Sequence, residues 1–549
     1  MPPLKPALFT AAIYLLLTVV PCAQVSESRS QARLRGSVTL ERSWWDVKHY
    51  DLSIEVFPQT QTVKGINVIS FTTVRGGQTM QIDLQPPLKI TEVKYKKKAL
   101  QFEREDNVYW IRFASPLRAR VDAEIKISFE GEPTKSRKPP WSGGFSWKKD
   151  SKGKPFIATT CQGIGASIWW PNKDHGYDEP DRGMTIAATV PSALTAVANG
   201  RLKKVDRHKD TRTFHWEVTN PINNYCVNLN IGNYVRIPES YKGKHGRLDM
   251  EYWVLEQDRA RARKHFIEAP RTIEALEHWF GKYPFYEDSY KLVQVPYLGM
   301  EHQSSVTYGN GFRNGYKGDD LSGTGVGLKF DFIIIHESAH EWFGNNISMK
   351  DAADMWIHES FANYAESLFV EYHFTRKEAE DYVIGTRRRI RNDRPIIGKY
   401  GLNREGSGDM YYKGGNMLHT LRHVINDDAR WLQILRGLNT TFWHQTVTTE
   451  QVENYIASNA GVDLRTFFEQ YLRTTKVPTV RYSFRGKTLS YHFDKVVEGF
   501  TMPIKVWING KPLRLRPTTE VQKLEHSAPI MSFAVDRNFY VHCRERHQE

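Results

Sequence analysis

Two histidines four residues apart with a glutamate after the first, His336-Glu337-Ser338-Ala339-His340, are the part of this 549-residue chain best suited to chemistry. On an α-helix, residues four apart share a face, so both imidazoles reach one metal ion. Glu337 lies about 100° round from His336, which sets its carboxylate beside the metal and leaves it free to act as a base. The pattern is short, and a pair of ordinary helix histidines also satisfies it. The sequence downstream supplies a third donor. Glu359 follows His340 by nineteen positions, room for one helix to end, turn and come back alongside. Two His and one Glu with an open fourth position make the catalytic form of a zinc site, whereas four protein ligands would make a structural one. Such a site holds one Zn2+ per chain, which acidifies water and polarises a carbonyl. Glu337 then accepts the water proton and passes it to the leaving amine. Glu366, two turns beyond Glu359, either supports a ligand through a hydrogen bond or sits on the helix surface.

The elements that must position these residues are readable from periodicity. Apolar residues at helical spacing predict helices over 257–280, 327–345, 354–372 and 410–426. Gly281 and Pro284 stop the first of them. Ahead of them, 49–56 alternates polar and apolar residues, the period of a half-buried strand, and 63–74, 109–113 and 124–129 repeat the style. Residues 291–295 read as a short strand, followed by a loop rich in glycine from Gly309 to Gly323. Alternation returns after Pro478, at 488–493 and 504–508. The expectation is a multidomain α+β chain: an N-terminal antiparallel β-domain over 24–238, a helix-dominated catalytic domain over 239–475, and a small C-terminal β-sandwich-like domain over 476–549.

Composition agrees with a soluble globular protein of several domains: 40% hydrophobic, 25% charged and 12% aromatic residues. The net charge of +14 is spread along the chain. Its small clusters, Lys96-Lys97-Lys98 and Arg387-Arg388-Arg389, read as solvated faces, because neither sits in a nucleic-acid module. No nucleic-acid partner is expected. At the N-terminus, Lys5 precedes an apolar run from Ala7 to Val20, the length of a signal-peptide core and too short to span a bilayer. Cleavage after Ala23 would remove residues 1–23 and send the chain to a periplasmic or extracellular space, with no membrane span left. Cys22 offers lipid attachment as an alternative, in a poor context after Val19-Val20-Pro21. Cys161, Cys226 and Cys543 then remain, room for one disulfide at most. With no Cys-x-x-Cys present, His and carboxylates must hold any metal.

The middle of the chain resembles the aminopeptidase N family of gluzincin metallopeptidases, which includes the leukotriene-hydrolysing aminopeptidases. His336, His340 and Glu359 match its extended metal motif, and Glu341-Trp342-Phe343-Gly344-Asn345 resembles its continuation. Around the third ligand, Trp356 to Ala362 is similar, with His358 where Asn is usual. The family's Gly-x-Met-Glu-Asn loop, which recognises a substrate's free α-amine, is matched by Gly299-Met300-Glu301-His302, with His replacing the final Asn. The resemblance implies that Glu301, with Gly299 and Met300, binds that amine; a fixed carboxylate facing an ammonium confines cleavage to the first peptide bond. Tyr411-Tyr412-Lys413-Gly414 matches Tyr-x-Lys-Gly, which implies that Tyr411 donates to the oxyanion, with Tyr412 the weaker choice. Thr159-Thr160-Cys161-Gln162 resembles the β-domain segment that lends a glutamine to the amine pocket, so Gln162 is a second anchor. The resemblance covers about 45–472 and implies a thermolysin-like fold for the catalytic domain. Members often carry a large helical C-terminal domain; the β-like residues here lead to the expectation of a more open cleft.

The resulting expectation is a zinc aminopeptidase acting on peptides with a free N-terminus. An endopeptidase would share the metal triad, and a non-catalytic peptide binder would be expected to have lost Glu337 or Tyr411. Glu337→Gln is expected to retain zinc and to lose turnover, since it removes the base and spares the ligands. Metal quantification beside a peptidase assay checks this, and wild-type rates would remove Glu337 from that role.

Overall fold

The computed structural model describes residues 29–546. The signal-sequence expectation at 1–23 lies outside them. Among the described residues, no helix is long and apolar enough to cross a membrane.

The first part of the chain folds as strands because its apolar residues alternate. Trp45–Phe57 buries Val47, Tyr50, Leu52, Ile54 and Val56 on one side. It pairs antiparallel with Thr62–Thr73, and the two lie inside an eight-stranded sheet. One pair departs from the expected antiparallel pattern. Trp45–Phe57 also runs parallel to Met184–Pro191, which a crossover of more than a hundred residues permits. A four-stranded sheet holds Pro155–Thr160, and Gln162 lies just past that strand's end, after Cys161.

The expected boundary at 238 falls inside the strand Tyr234–Gly243, which pairs with Gly246–Leu255. Those two open a five-stranded sheet continued by Tyr290–Gln294, Val306–Tyr308 and the edge strand Gly299–Met300. The helix predicted over 257–280 is instead two, Arg259–His265 and Glu268–Phe280. Pro270 accounts for the break: in one continuous helix its ring would meet the carbonyl four residues back, at Phe266.

The motif helix is shorter than expected, Phe332–Ala339, with His340 as its C-cap. Asp331 starts it. Its Oδ1 accepts from the backbone N–H of Ile333 (2.9 Å) and Ile334 (3.3 Å) and from Asn310 Nδ2 (2.9 Å). Its Oδ2 accepts from the Tyr308 hydroxyl at 2.8 Å and lies 2.7 Å from His265 Nε2. The cap is thereby tied to the sheet and to the helix Arg259–His265. The return helix, Trp356–His373, packs alongside, with the Phe343 and Phe361 rings stacked at 4.1 Å.

A third helix, Tyr412–Ile425, lies against the return helix. Gly414 makes the approach possible, because a Cβ there would sit 1.9 Å from Ser360 Oγ. Seven C-terminal strands form two small sheets. Their apolar residues share one core with the catalytic helices. Polar bonds clamp them to the catalytic helices: the Tyr540 N–H donates to Thr420 Oγ1 on the third helix at 2.9 Å, and Tyr471 OH, on the helix Arg465–Arg473, to the Tyr540 carbonyl at 2.8 Å. Of Arg387-Arg388-Arg389, expected as a solvated face, Arg388 and Arg389 are exposed, while the half-buried Arg387 serves the same end. Arg387 donates to Asn416 Oδ1 and to the Arg537 carbonyl, while Arg388 and Arg389 donate to the Leu321 carbonyl.

Asp331→Ala should lower stability by at least about 2 kcal/mol, since it removes a cap and strips partners from buried Tyr308 and Asn310. Chemical denaturation checks this; a loss under about 0.5 kcal/mol would mean that the cap does not secure the motif helix.

Candidate metal and catalytic centre

The three predicted metal donors converge. Nε2 of His336 and of His340 lie 3.4 and 3.5 Å from Glu359 Oε2, and all three side chains are buried. The rings are held so that these nitrogens face inward. His336 Nδ1 lies 2.8 Å from Glu366 Oε1, and His340 Nδ1 lies 2.9 Å from the Phe343 carbonyl. That carbonyl is within reach because the helix stops at His340 and the chain turns through Gly344 at φ 140°. His336 is also sandwiched between Phe332, stacked at 5.1 Å, and Tyr411, at 5.9 Å.

Glu366 is therefore no surface carboxylate. It is fully buried and accepts from Tyr382 OH at 2.6 Å and from Asn363 Nδ2 at 3.1 Å, besides facing His336. Tyr382 is a residue that sequence reasoning missed. It lies on the next helix, and nothing local in the sequence points to it.

The donor set fits zinc. Glu359 Oε2 is a buried acceptor with no hydrogen-bond donor of its own, sitting between two imidazole nitrogens. The pocket also calls for positive charge. Burial opposes protonation of His336, yet Glu359 and Glu366 outweigh it and raise its pKa well above the ordinary value. Burial likewise opposes ionisation of Glu359, but His340 and His336 hold it well below the usual carboxylate range. A second trio with ligand atoms equally close, Glu301, Glu337 and His340, is the poorer choice because Gln162 already occupies Glu301.

Glu337 is buried on the same helix, its carboxyl pushed up to about 8 by burial against the pull of His336. Gly299 lies against it. A Cβ on Gly299 would meet Ile333 Cγ2 at 2.7 Å and Glu337 Oε1 at 3.1 Å, so the amine loop touches the motif helix only because this residue is glycine. Met300 is buried beside it, pairing with Thr307 across the edge strand.

Glu301 follows at the end of that strand, buried, with Oε1 accepting from Gln162 Nε2 at 2.6 Å. The same Gln162 nitrogen lies 3.2 Å from Glu359 Oε1. One amide from the β-domain thus touches both the metal ligand and the predicted amine carboxylate. The loop is locked to the end of the motif helix by Asn345, which donates to the Glu301 carbonyl at 2.9 Å, and by Glu341, which accepts from the Ser304 N–H at 2.8 Å.

The two replacements have structural partners. His302 is buried, 3.3 Å from Thr307 Oγ1, and burial lowers its pKa to about 3, which leaves a neutral ring. His358 accepts from the Met349 N–H at 2.8 Å and lies 3.3 Å from Tyr225 OH. Tyr411 sits just before the third helix, half-buried over His336, while Tyr412 faces Arg389 instead. Cys161 and Cys226 are both free and buried, and Cys226 Sγ donates to Asn345 Oδ1.

Two models of one family match this chain: the Peptidase M1 N-terminal domain over residues 46–226 and the Peptidase family M1 domain over 266–471. Among similar proteins, a leucyl aminopeptidase of Saccharolobus solfataricus is 21% identical over 487 residues, covering 85% of this chain and 59% of its own length. An aminopeptidase N of Lactobacillus helveticus is 24% identical, covering 79% of this chain and 51% of itself. The chain therefore spans between about half and three-fifths of the length of these relatives. A solved M1 zinc metallopeptidase of Deinococcus radiodurans shares the fold, with a TM-score of 0.66 at 20% identity over 80% of this chain and 96% of that one.

Glu366→Gln should weaken zinc binding about 10–100-fold, because it removes the anionic partner of a ligand. Competition against a chelator measures it, and unchanged affinity would contradict the role given to Glu366.

Proposed function

We propose that this chain, which belongs to peptidase family M1, is a zinc aminopeptidase that removes residues from the N-termini of peptides. The observation that carries the reading is the shared contact of Gln162 with Glu301 and Glu359. A free amine bound at Glu301 then lies one residue's length from the metal site. The relatives called leucyl aminopeptidase and aminopeptidase N, and a Deinococcus radiodurans structure bound to a Tyr-Ser-Ala substrate, support it.

His336, His340 and Glu359 would hold zinc, which supplies a Lewis acid for water and for the scissile carbonyl. Glu301 and the side-chain carbonyl of Gln162 hold the substrate ammonium and fix which bond lies over the site. Glu337 takes a proton from the attacking water and delivers it to the departing amine. Tyr411 donates its hydroxyl hydrogen to the oxyanion as the carbonyl becomes tetrahedral, a contact stronger in the transition state than in the ground state. Burial raises the Tyr411 hydroxyl well above its ordinary pKa, with Glu359 adding to the effect, so it stays a donor. The exported location expected from residues 1–23 belongs to this proposal too.

Matched peptides with free and N-acetylated termini test it. The free peptide should lose its first residue, and acetylation should cut kcat/KM by at least about 10²-fold, the order expected when a buried charged partner loses its ion. Equal cleavage of both would make the chain an endopeptidase.

A further inference from the structure

Residues 29–43 precede the region matched by the family models and fold as a helix, Arg29–Gly36, and a helical turn, Leu40–Ser43. The last carbonyls of a helix have no donors within it and need others. Arg42 supplies donors here. Its Nη1 donates to the carbonyls of Leu34, Arg35 and Ser37, each at 2.8 Å, and its Nη2 donates to Asp83 Oδ1 at 2.7 Å. Arg42 and Asp83 are fully buried, so this ion pair ties the first helix to the β-domain out of reach of water. His175 takes the Gly36 carbonyl. Its Nδ1 accepts from the Tyr177 N–H at 3.2 Å, which leaves the ring proton on Nε2, 3.2 Å from that carbonyl.

The helix so held meets the turn that carries Gln162. Three carbonyls of that turn are bonded within the β-domain: Cys161 by the Gly165 N–H, Gln162 by the Ile164 N–H and Ile164 by Gln85 Nε2. The fourth, that of Gly163, reaches outside it. It accepts from Arg35 Nη2 at 3.2 Å and from Asn403 Nδ2, in the catalytic domain, at 3.1 Å. Arg35 is buried against the same turn: a Cβ on Gly165 would lie 2.7 Å from its Nη2 and 2.1 Å from Asp174 Oδ2. The helix end also presses on the Asn403 loop, where a Cβ on Gly36 would lie 2.0 Å from the Asn403 backbone nitrogen. The first helix is therefore wedged between the Gln162 turn and the catalytic domain.

We propose that Arg35 is a positioning residue for the amine site: with Asn403 it fixes the Gly163 carbonyl, and through it the place of the Gln162 amide between Glu301 and Glu359. This rests on the aminopeptidase reading, in which that amide meets the substrate ammonium. Glycines at 163 (φ 74°) and 165 (φ 93°) give the turn little conformational preference of its own. Its geometry, and with it the reach of the Gln162 side chain, then depends on the groups that anchor it from outside. Misplacing a group that holds substrate by about 1 Å costs about 10²-fold in rate.

The test uses the zinc-loaded full chain and a peptide with a free N-terminus. Gln162→Ala should raise KM by about tenfold or more, the order of a hydrogen bond to a charged group. Arg35→Ala should raise KM by about fivefold, the order of one lost hydrogen bond, with kcat and zinc content kept. Arg35→Lys keeps a cationic donor and should return KM to within about twofold of wild type. Added to Gln162→Ala, Arg35→Ala should have no further effect, because residues acting through one contact are not additive. A further rise there, or a loss of kcat or zinc with KM unchanged, would show a structural role alone and overturn the proposal. Asn403→Gly tolerates the native φ of 39° and removes the other donor, so it tests the same carbonyl should Arg35→Ala not fold. It too should raise KM, and an unchanged KM overturns the proposal. An unchanged KM in Gln162→Ala would instead remove Gln162 from the amine site and sink the reading on which the proposal rests.

Discussion

The contact on which the rest depends is the approach of Glu359 to the two imidazoles of the motif helix. A buried carboxylate needs a partner of opposite charge or a set of donors, because burial without one costs several kcal/mol. Glu359 has one oxygen toward Gln162 and the other toward both histidines. Around it stand Glu301, Glu337 and Glu366, all buried. These four carboxylates and the two imidazoles share a small, buried volume, and a divalent cation at the meeting point of His336, His340 and Glu359 would balance them.

Much of the fold serves to hold that meeting point. Asp331 fixes where the motif helix begins, and the turn at Gly344 fixes where it ends, so His340 can bond the Phe343 carbonyl. Glu366 and Tyr382 set the other ring. Gly299 lets the loop that carries Glu301 touch the motif helix, and Gly414 lets the return helix lie against the helix after Tyr411. The C-terminal sheets contribute by clamping that helix through Tyr540 and Arg537. The β-domain contributes one side chain, Gln162, to the centre itself.

What could be read from the sequence was what is local. Helical spacing carried His336, Glu337 and His340, and the nineteen-residue return carried Glu359. Motif resemblance singled out Glu301, Gln162 and Tyr411 one by one, but not that Gln162 touches two of the others, because a contact across nearly two hundred residues leaves no trace in local pattern. The same holds for Tyr382 behind Glu366 and for Arg387, whose charge reads as solvated while its bonds reach the C-terminal sheets. The motif helix was overextended, although Asp331 ahead of an apolar run is a readable N-cap signal. The break at Pro270 was readable too, in a stretch whose periodicity concealed it.

The direct test is zinc-edge X-ray absorption on the metal-loaded chain with a metal count. The expected result is one zinc per chain, with two imidazole nitrogens at about 2.0–2.1 Å and carboxylate oxygen at about 2.0–2.2 Å. Sulfur scattering at about 2.3 Å, or the same spectrum after Glu359→Ala, would contradict a centre built on His336, His340 and Glu359.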